Sequence, residues 1–293
     1  MMNIIFSILT QALTFIPLAF GISISYHLLR ATDMTIDGSF VLGAAVFAHL
    51  VTLGFPPYLA FIFAIMSGGL AGVMVATIQR HGRIDPLLAG VLATFILSSF
   101  NLIVMGKPNI TLLNQSTLLS SAFATSEISG WILTSIYTLL ICSIALLLLR
   151  SSFGLTLRAL GDNPSLLKRL GKNIENYRIA GFALTNALAA ASGCLTAQTV
   201  NYADIGMGLG MTLTGIGAII IGQQVLRRFN SKAYFRIGKE FFACLFGVII
   251  YYASMNLLLM INIDPIYLKM ILGFLLIFCL RAATTQKLMR PVL

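Results

Sequence analysis

The sequence predicts an all-α polytopic membrane bundle of about 8–10 spans, with discontinuous helices and one short cytoplasmic helix. Three observations predict it. Of 293 residues, 58% are hydrophobic and only 10% are charged, against roughly 25% charged in an average soluble domain. The mean hydropathy is +0.93. A soluble globule of this size cannot hide that much apolar surface, which excludes a soluble enzyme. Apolar runs long enough to cross a bilayer recur along the chain, separated by short polar loops. No long hydrophilic stretch interrupts them, so residues 1–293 read as a single transmembrane domain.

The candidate spans cover about residues 4–26, 39–54, 57–78, 87–105, 130–150, 178–199, 211–226, 237–260 and 266–281. No Lys or Arg precedes Arg30, so the first run lacks the basic start of a cleavable leader and reads as a retained helix. Nineteen Lys+Arg against nine Asp+Glu give a net charge of +10. In a soluble protein that would suggest nucleic acid. Here the cations crowd into a few loops, the pattern of loops kept in the cytoplasm. Arg80 and Arg83 share one loop. Arg150, Arg158, Lys168, Arg169, Lys172 and Arg178 share the longest. Arg227, Arg228, Lys232, Arg236 and Lys239 share a third, and Arg281, Lys287 and Arg290 follow the last span. The opposite loops, about 106–129, 201–210 and 261–265, hold Lys107 with Glu127, Asp204 and Asp264. Two topologies fit the start. Nine full crossings put the N-terminus outside, whereas a re-entrant element near residues 31–55 puts it inside.

Two segments break the apolar pattern in the same way. One runs from Asp33 through Asp37, Gly38 and Ser39 to Gly43; the other runs from Asp204 through Gly206, Gly208 and Gly210 to Gly217. Short, Gly-interrupted segments in two halves of a membrane chain point to a solute pathway. A carboxylate at the centre of a spanning helix costs about 2.5–3.5 kcal/mol on an insertion scale. Asp33, Asp37 and Asp204 should therefore either face a wet cavity or cap helix starts. The small-residue strip Gly68, Gly69, Ala71 and Gly72 suits a close helix contact, either between copies or within one subunit.

The sequence supplies no energy source of its own. It contains no G-x-x-x-x-G-K-[ST] phosphate loop, and the glycines between 206 and 222 do not form a dinucleotide-binding turn after a strand. His27, His49 and His81 are scattered, and Cys142, Cys194, Cys244 and Cys279 lie in apolar runs without ligand spacing, so no metal site is expected. No catalytic residue is assigned. The basic stretch 151–172 is more informative. Asn163 before Pro164 is an N-cap followed by an N1 proline. A helix of about six residues follows, with Leu166, Leu167 and Leu170 expected on one side. Lys168 and Arg169 suit its C-terminal dipole, and Gly171 stands where a C′ glycine stops a helix. Such a helix either lies in the headgroup layer or docks on a cytoplasmic partner.

These residues carry a resemblance. Arg158-Ala159-Leu160-Gly161-Asp162-Asn163-Pro164, Leu170-Gly171-Lys172-Asn173, Gly181 to Leu188 and Ser192-Gly193 resemble, in order and spacing, ABC importer permeases of the branched-chain amino acid type. Leu28-Leu29-Arg30 with Asp33 to Phe40, Leu87 to Leu92, Asn101 to Gly106, Asn109 to Leu113 and Ala203 to Gly208 resemble the branch labelled tryptophan/tyrosine permeases. The match spans about residues 10–285, nearly the whole chain. One departure is Gln223 after Gly222, where the family more often carries Glu.

The resemblance implies a multi-pass permease of a bacterial inner membrane, moving a small solute such as an aromatic amino acid. It implies a separate ATPase subunit that binds ATP and Mg, an extracytoplasmic binding protein and a second permease copy, with no cofactor on this chain and no nucleic acid. Arg158, Gly161, Asp162, Asn163, Pro164, Leu166, Leu167, Leu170 and Gly171 would couple to the ATPase. For a zwitterionic solute, the breaks at Gly38-Ser39 and Gly208–Gly210 could offer helix N-termini to its carboxylate. Asp37 would face its ammonium, with Ser39, Asn101, Asn186, Gln198, Asp204 and Gly208 along the pathway. A weakly polar channel, with specificity left to the binding protein, is the alternative. The rival class is an ion-gradient-driven secondary transporter using Asp33, Asp37 and Asp204.

Overall fold

The computed structural model describes residues 2–82, 84–120, 127–228 and 236–261, together with 267, 270, 273 and 274. Arg83, Lys232 and most of the expected last span at 266–281, with Cys279 and the cations beyond it, lie outside the described residues. Ten helices and one small ribbon make up the described fold. They are α1 (Met2–Ser23, running on into a π-helical turn Ile24–Leu28), α2 (Thr35–Thr52), α3 (Pro57–Ile78), α4 (Pro86–Met105) and α5 (Glu127–Arg150). Then come α6 (Ser152–Asp162), α7 (Pro164–Arg169), α8 (Ile174–Val200), α9 (Met211–Arg228) and α10 (Arg236–Met260). Strands β1 (Asn109–Thr111) and β2 (Tyr202–Asp204) pair antiparallel, with Ile110 opposite Ala203. Among the described residues, eight segments are long and apolar enough to cross a membrane.

Helix α8 is the central post. It has 27 residues, about 40 Å at 1.5 Å per residue, so it outreaches a hydrocarbon core of about 30 Å. Helices α1, α2 and α3 all pack on it. Glycine permits the closest approach. A methyl at Gly68 would overlap Ala190, and one at Gly72 would overlap the Phe182 carbonyl, whereas one at Gly69 would rest 3.8 Å from the Ala183 carbonyl oxygen. The small-residue strip of α3 is therefore spent inside the subunit. Outside this core, α4 and α5 turn Phe95, Ile103, Ile136 and Leu147 outward, as a lipid-facing surface requires.

Packing also gives the direction of the first helix. Ser192 Oγ donates to the Thr14 carbonyl at 2.6 Å, and Gly21 sits against Thr185. Thus α1 runs antiparallel to α8, and its far end at Leu28 reaches Gly161 of α6. The amino end of α1 lies on the ribbon side, opposite the basic element. Residues 29–52 then make one complete return crossing, so the re-entrant alternative does not hold. The return is a discontinuous crossing. Residues 29–34 rise without helical structure before α2 begins at Thr35. Coming from the ribbon, β2 and a 3-10 turn (Ile205–Gly208) lead back to the start of α2 before α9 begins at Met211.

Candidate functional site

The two breaks meet. Asp37, in the first turn of α2, aims its carboxylate at the start of α9. One oxygen accepts from Gly210 N at 3.0 Å; the other accepts from Thr212 N and Thr212 Oγ1, both at 2.6 Å. The carboxylate thereby satisfies amide donors that α9 leaves free at its first turn and places negative charge at the positive end of that helix. It is a capping group supplied from another helix. Gly208 packs directly on the Asp37 carbonyl, too close for any side chain. Asp204 caps locally: its Oδ1 accepts from Gly206 N at 2.7 Å, and Asn109 Nδ2 reaches its Oδ2 at 3.4 Å.

One turn before Asp37 lies a buried polar group. Asp33 Oδ1 accepts from Thr35 N at 2.9 Å, which caps α2. Its Oδ2 accepts from Asn186 Nδ2 at 2.7 Å, and Asn186 Oδ1 in turn accepts from Ser39 Oγ at 2.7 Å. Asp33, Ser39 and Asn186 are all 1% exposed or less. Among the described residues Asp33 has no cationic partner; two neutral donors, Thr35 N and Asn186 Nδ2, hold its buried carboxyl group. Asn101 is equally enclosed and donates to the Gly38 carbonyl at 3.1 Å, tying α4 to α2. Gln198 lies further toward the ribbon. Its Oε1 accepts from Leu118 N at 3.1 Å and its Nε2 donates to the Cys194 carbonyl at 3.3 Å.

These positions divide the expected pathway residues into two sets. Ser39, Asn101, Asn186 and Gln198 are fully enclosed and bonded within the chain, so in this conformation they present no surface to a solute. Asp37 and Asp204 are half-buried at the break, beside exposed Leu209 and Leu213. Thr94, whose hydroxyl donates to the Met34 carbonyl at 2.8 Å, and exposed Ser98 stand on the flank of α4 turned away from the α3-facing Ala89 and Ala93.

The basic element is better ordered than a loop. Ser151 caps α6, which packs Phe153 on Tyr177 of α8, and Lys172 Nζ donates to Thr156 Oγ1 at 3.1 Å. Helix α7 has the predicted termini. Asn163 Oδ1 accepts from Leu166 N at 3.3 Å, and Gly171 takes φ +69° with its amide on the Lys168 carbonyl. One expectation needs correction. Leu167 does not share a face with Leu166 and Leu170: the 100° step per residue turns it inward, 3% exposed, against Leu160 and Ile174. Leu166 and Leu170 remain outward, 47% and 64% exposed. A cleft of about 550 Å³ lies on a different flank of α7, lined by Pro164, Lys168, Lys172, Asn173, Glu175 and Arg178.

Two contacts escaped the sequence. Arg30 pairs with Asp162, and the Leu28 carbonyl packs on Gly161 where a methyl would not fit. Arg158 is half-buried, and its Nη2 has no hydrogen-bond partner among the described residues.

The architecture of broken spans and a cytoplasmic docking-size helix agrees with the comparisons. Residues 4–280 match the family described as "Branched-chain amino acid transport system / permease component". The chain belongs to this permease family. An uncharacterized protein of Rickettsia prowazekii is 46% identical over 98% of this chain and 100% of its own length. The tyrosine transport system permease protein of Clostridioides difficile is 37% identical over 78% of this chain and 76% of its own. A branched-chain amino acid permease protein of Methanocaldococcus jannaschii is 27% identical over 61% and 60%. No solved structure matches the chain. The permease is thus a multi-pass inner-membrane protein of the ABC transporter class.

Proposed function

We propose that this permease is the membrane-spanning subunit of an ATP-driven importer that carries an amino acid, an aromatic one first among them. The observation that carries the reading is α7: a short helix capped at both ends, held by Leu167, with Leu166 and Leu170 facing outward on the basic side. A separate ATPase subunit binds ATP and Mg there, in keeping with the absence of a phosphate loop from this chain. A binding protein delivers the solute at the ribbon side. One docking helix per chain requires two copies to meet an ATPase dimer, so a homodimer is the simplest assembly. The solute passes along the break between α2 and α9, where Asp37, Asp204, Gly208 and Leu213 stand. The enclosed Ser39, Asn101 and Asn186 hold the start of α2 in place, and Gln198 holds Leu118 nearer the ribbon. The printed name of the 37%-identical relative supports tyrosine as the first substrate to try.

The test is uptake into vesicles containing the permease, its neighbouring ATPase and the binding protein. Labelled tyrosine should enter only with ATP, be displaced by tryptophan rather than ribose, and ignore ionophores. Uptake driven by an ion gradient without the ATPase would overturn the importer reading and favour a secondary transporter. Buried Asp33 is a structural feature that fits such a rival.

A further inference from the structure

A short stretch of chain joins the two ends of the machine. Residues 29–34 begin beside the cytoplasmic element and end at the buried Asp33, and Asp37 follows within one helical turn. At the cytoplasmic end, Ala31 N donates to the Ser25 carbonyl at 3.1 Å, and side-chain contacts add to this hold on the connector. The Leu28 carbonyl lies in the space left by Gly161, Arg30 pairs with Asp162, and Leu29 packs into the cluster of Leu160, Leu167 and Ile174 that seats α7. At the inner end, Met34 is fixed by Gly90 and by Thr94 Oγ1, Asp33 by Asn186, and Asp37 by Gly210 and Thr212. Between these anchors Arg30 adopts φ +51°, a left-handed conformation that a residue with a Cβ rarely takes. Strain of that kind persists only where the surroundings over-determine it.

We propose that the Arg30–Asp162 pair is a latch that transmits displacement of α7 to the connector, and through Asp33 and Asp37 to the start of α9. Asp162 is the last residue of α6, immediately before the Asn163 cap of α7. A push on α7 therefore moves the Asp162 carboxylate, and Arg30 with it. The connector is pinned at both ends, so it shifts as a unit and carries the Asp37 cap of α9. Both side chains are more than half exposed, at 59% and 52%. An exposed pair adds little to stability, so changing it reads transmission rather than folding. Arg30 and Asp162 are positioning residues; neither touches the solute in this scheme. The proposal rests on the importer reading for its biological sense, but its structural half can be tested without transport.

The experiment uses the permease with Arg30→Glu, Asp162→Arg, the double exchange and Arg30→Gly. The first readout is amide exchange in the purified permease. Arg30→Glu should speed exchange at residues 31–37 and 210–213 by about threefold, the size expected for loss of an exposed pair, and leave α8 unchanged. The second is uptake in vesicles with the ATPase and binding protein. Each single exchange should lose about tenfold in uptake while the ATPase still co-purifies, and the double exchange should recover to within about threefold of wild type. Arg30→Gly relaxes the backbone but removes the charge, so it should lose uptake like Arg30→Glu. Unchanged exchange at 31–37, full uptake by Arg30→Gly, or a double exchange no better than its parents would each overturn the latch. Wild-type vesicles that lack ATP-dependent uptake would instead overturn the importer reading, with the exchange result still deciding the latch.

Discussion

The Asp37 cap predicts a specific failure when the carboxylate is neutralised. In Asp37→Asn one oxygen can still accept from Thr212, but the new amide group then faces Gly210 N, donor against donor. The loss includes one charge-assisted hydrogen bond, about 1.5–3 kcal/mol, and the charge at the start of α9, about 0.3–1 kcal/mol. The sum is roughly 2–4 kcal/mol of local stability. At about 1.4 kcal/mol per tenfold, exchange of amides 210–213 should rise about 30- to 1,000-fold. Thr212→Val removes only the hydroxyl that donates to Asp37 at 2.6 Å, so it should raise exchange at the same amides by about tenfold. Because both act on one cap, the double variant should fall short of the sum of the two in free energy. Uptake measured beside exchange separates the roles of Asp37. A cap predicts that both variants lose uptake in proportion to their exchange. Loss of uptake in Asp37→Asn with exchange at 210–213 unaltered would refute the cap and return Asp37 to the list of solute ligands.

Three other outcomes follow from the packing. Leu166→Asp with Leu170→Asp should abolish ATP-dependent uptake and leave the thermal unfolding of the detergent-purified permease within about 2 °C of wild type, since exposed sites rarely matter to stability. Asn186→Ala should cost more stability than Ser39→Ala, about 2–3 against about 1 kcal/mol, because only the first strips a donor from the buried Asp33 carboxyl group; equal chemical-denaturation midpoints would contradict that argument. Gly72→Ala should lower folded yield by forcing α3 off α8, whereas Gly69→Ala should be tolerated, and equal yields would show that the helices are not in contact there.

Much of the bundle was legible because apolar length and caps are local signals. Pro57 and Pro86 open α3 and α4, Asn163 opens α7, and Gly171 closes it, all from residues adjacent to the element they bound. The start of α2 was less legible. Thr35 and Asp37 look too polar for a span until Asp33 caps the helix and Asn186, 153 positions away, donates to its carboxyl group. Helix α6 was missed for a related reason. Its buried face of Gly154, Thr156, Leu157 and Leu160 sits in a stretch dominated by the cations Arg150 and Arg158. The serine at 151 before Phe153 was the available signal, an N-cap ahead of a periodic run.

Among the candidate site residues, polarity inside an apolar chain marks positions but cannot distinguish lining from scaffolding. Both need a polar side chain at membrane depth. What separates them is partnership across sequence distances that no spacing rule covers. Asn186 is saturated by Asp33 and Ser39, and Asn101 donates to Gly38, whereas the α2–α9 break still has exposed Leu209 and Leu213 beside its capped backbone. The enclosed groups keep the broken chain rigid up to Asp37. A helix start held by one carboxylate from a neighbouring helix can then move as a piece when the connector moves. Buried polar contacts on one side of the break and a single replaceable ion pair on the other are what a pathway needs if it is to be firm in each state and still switchable between them.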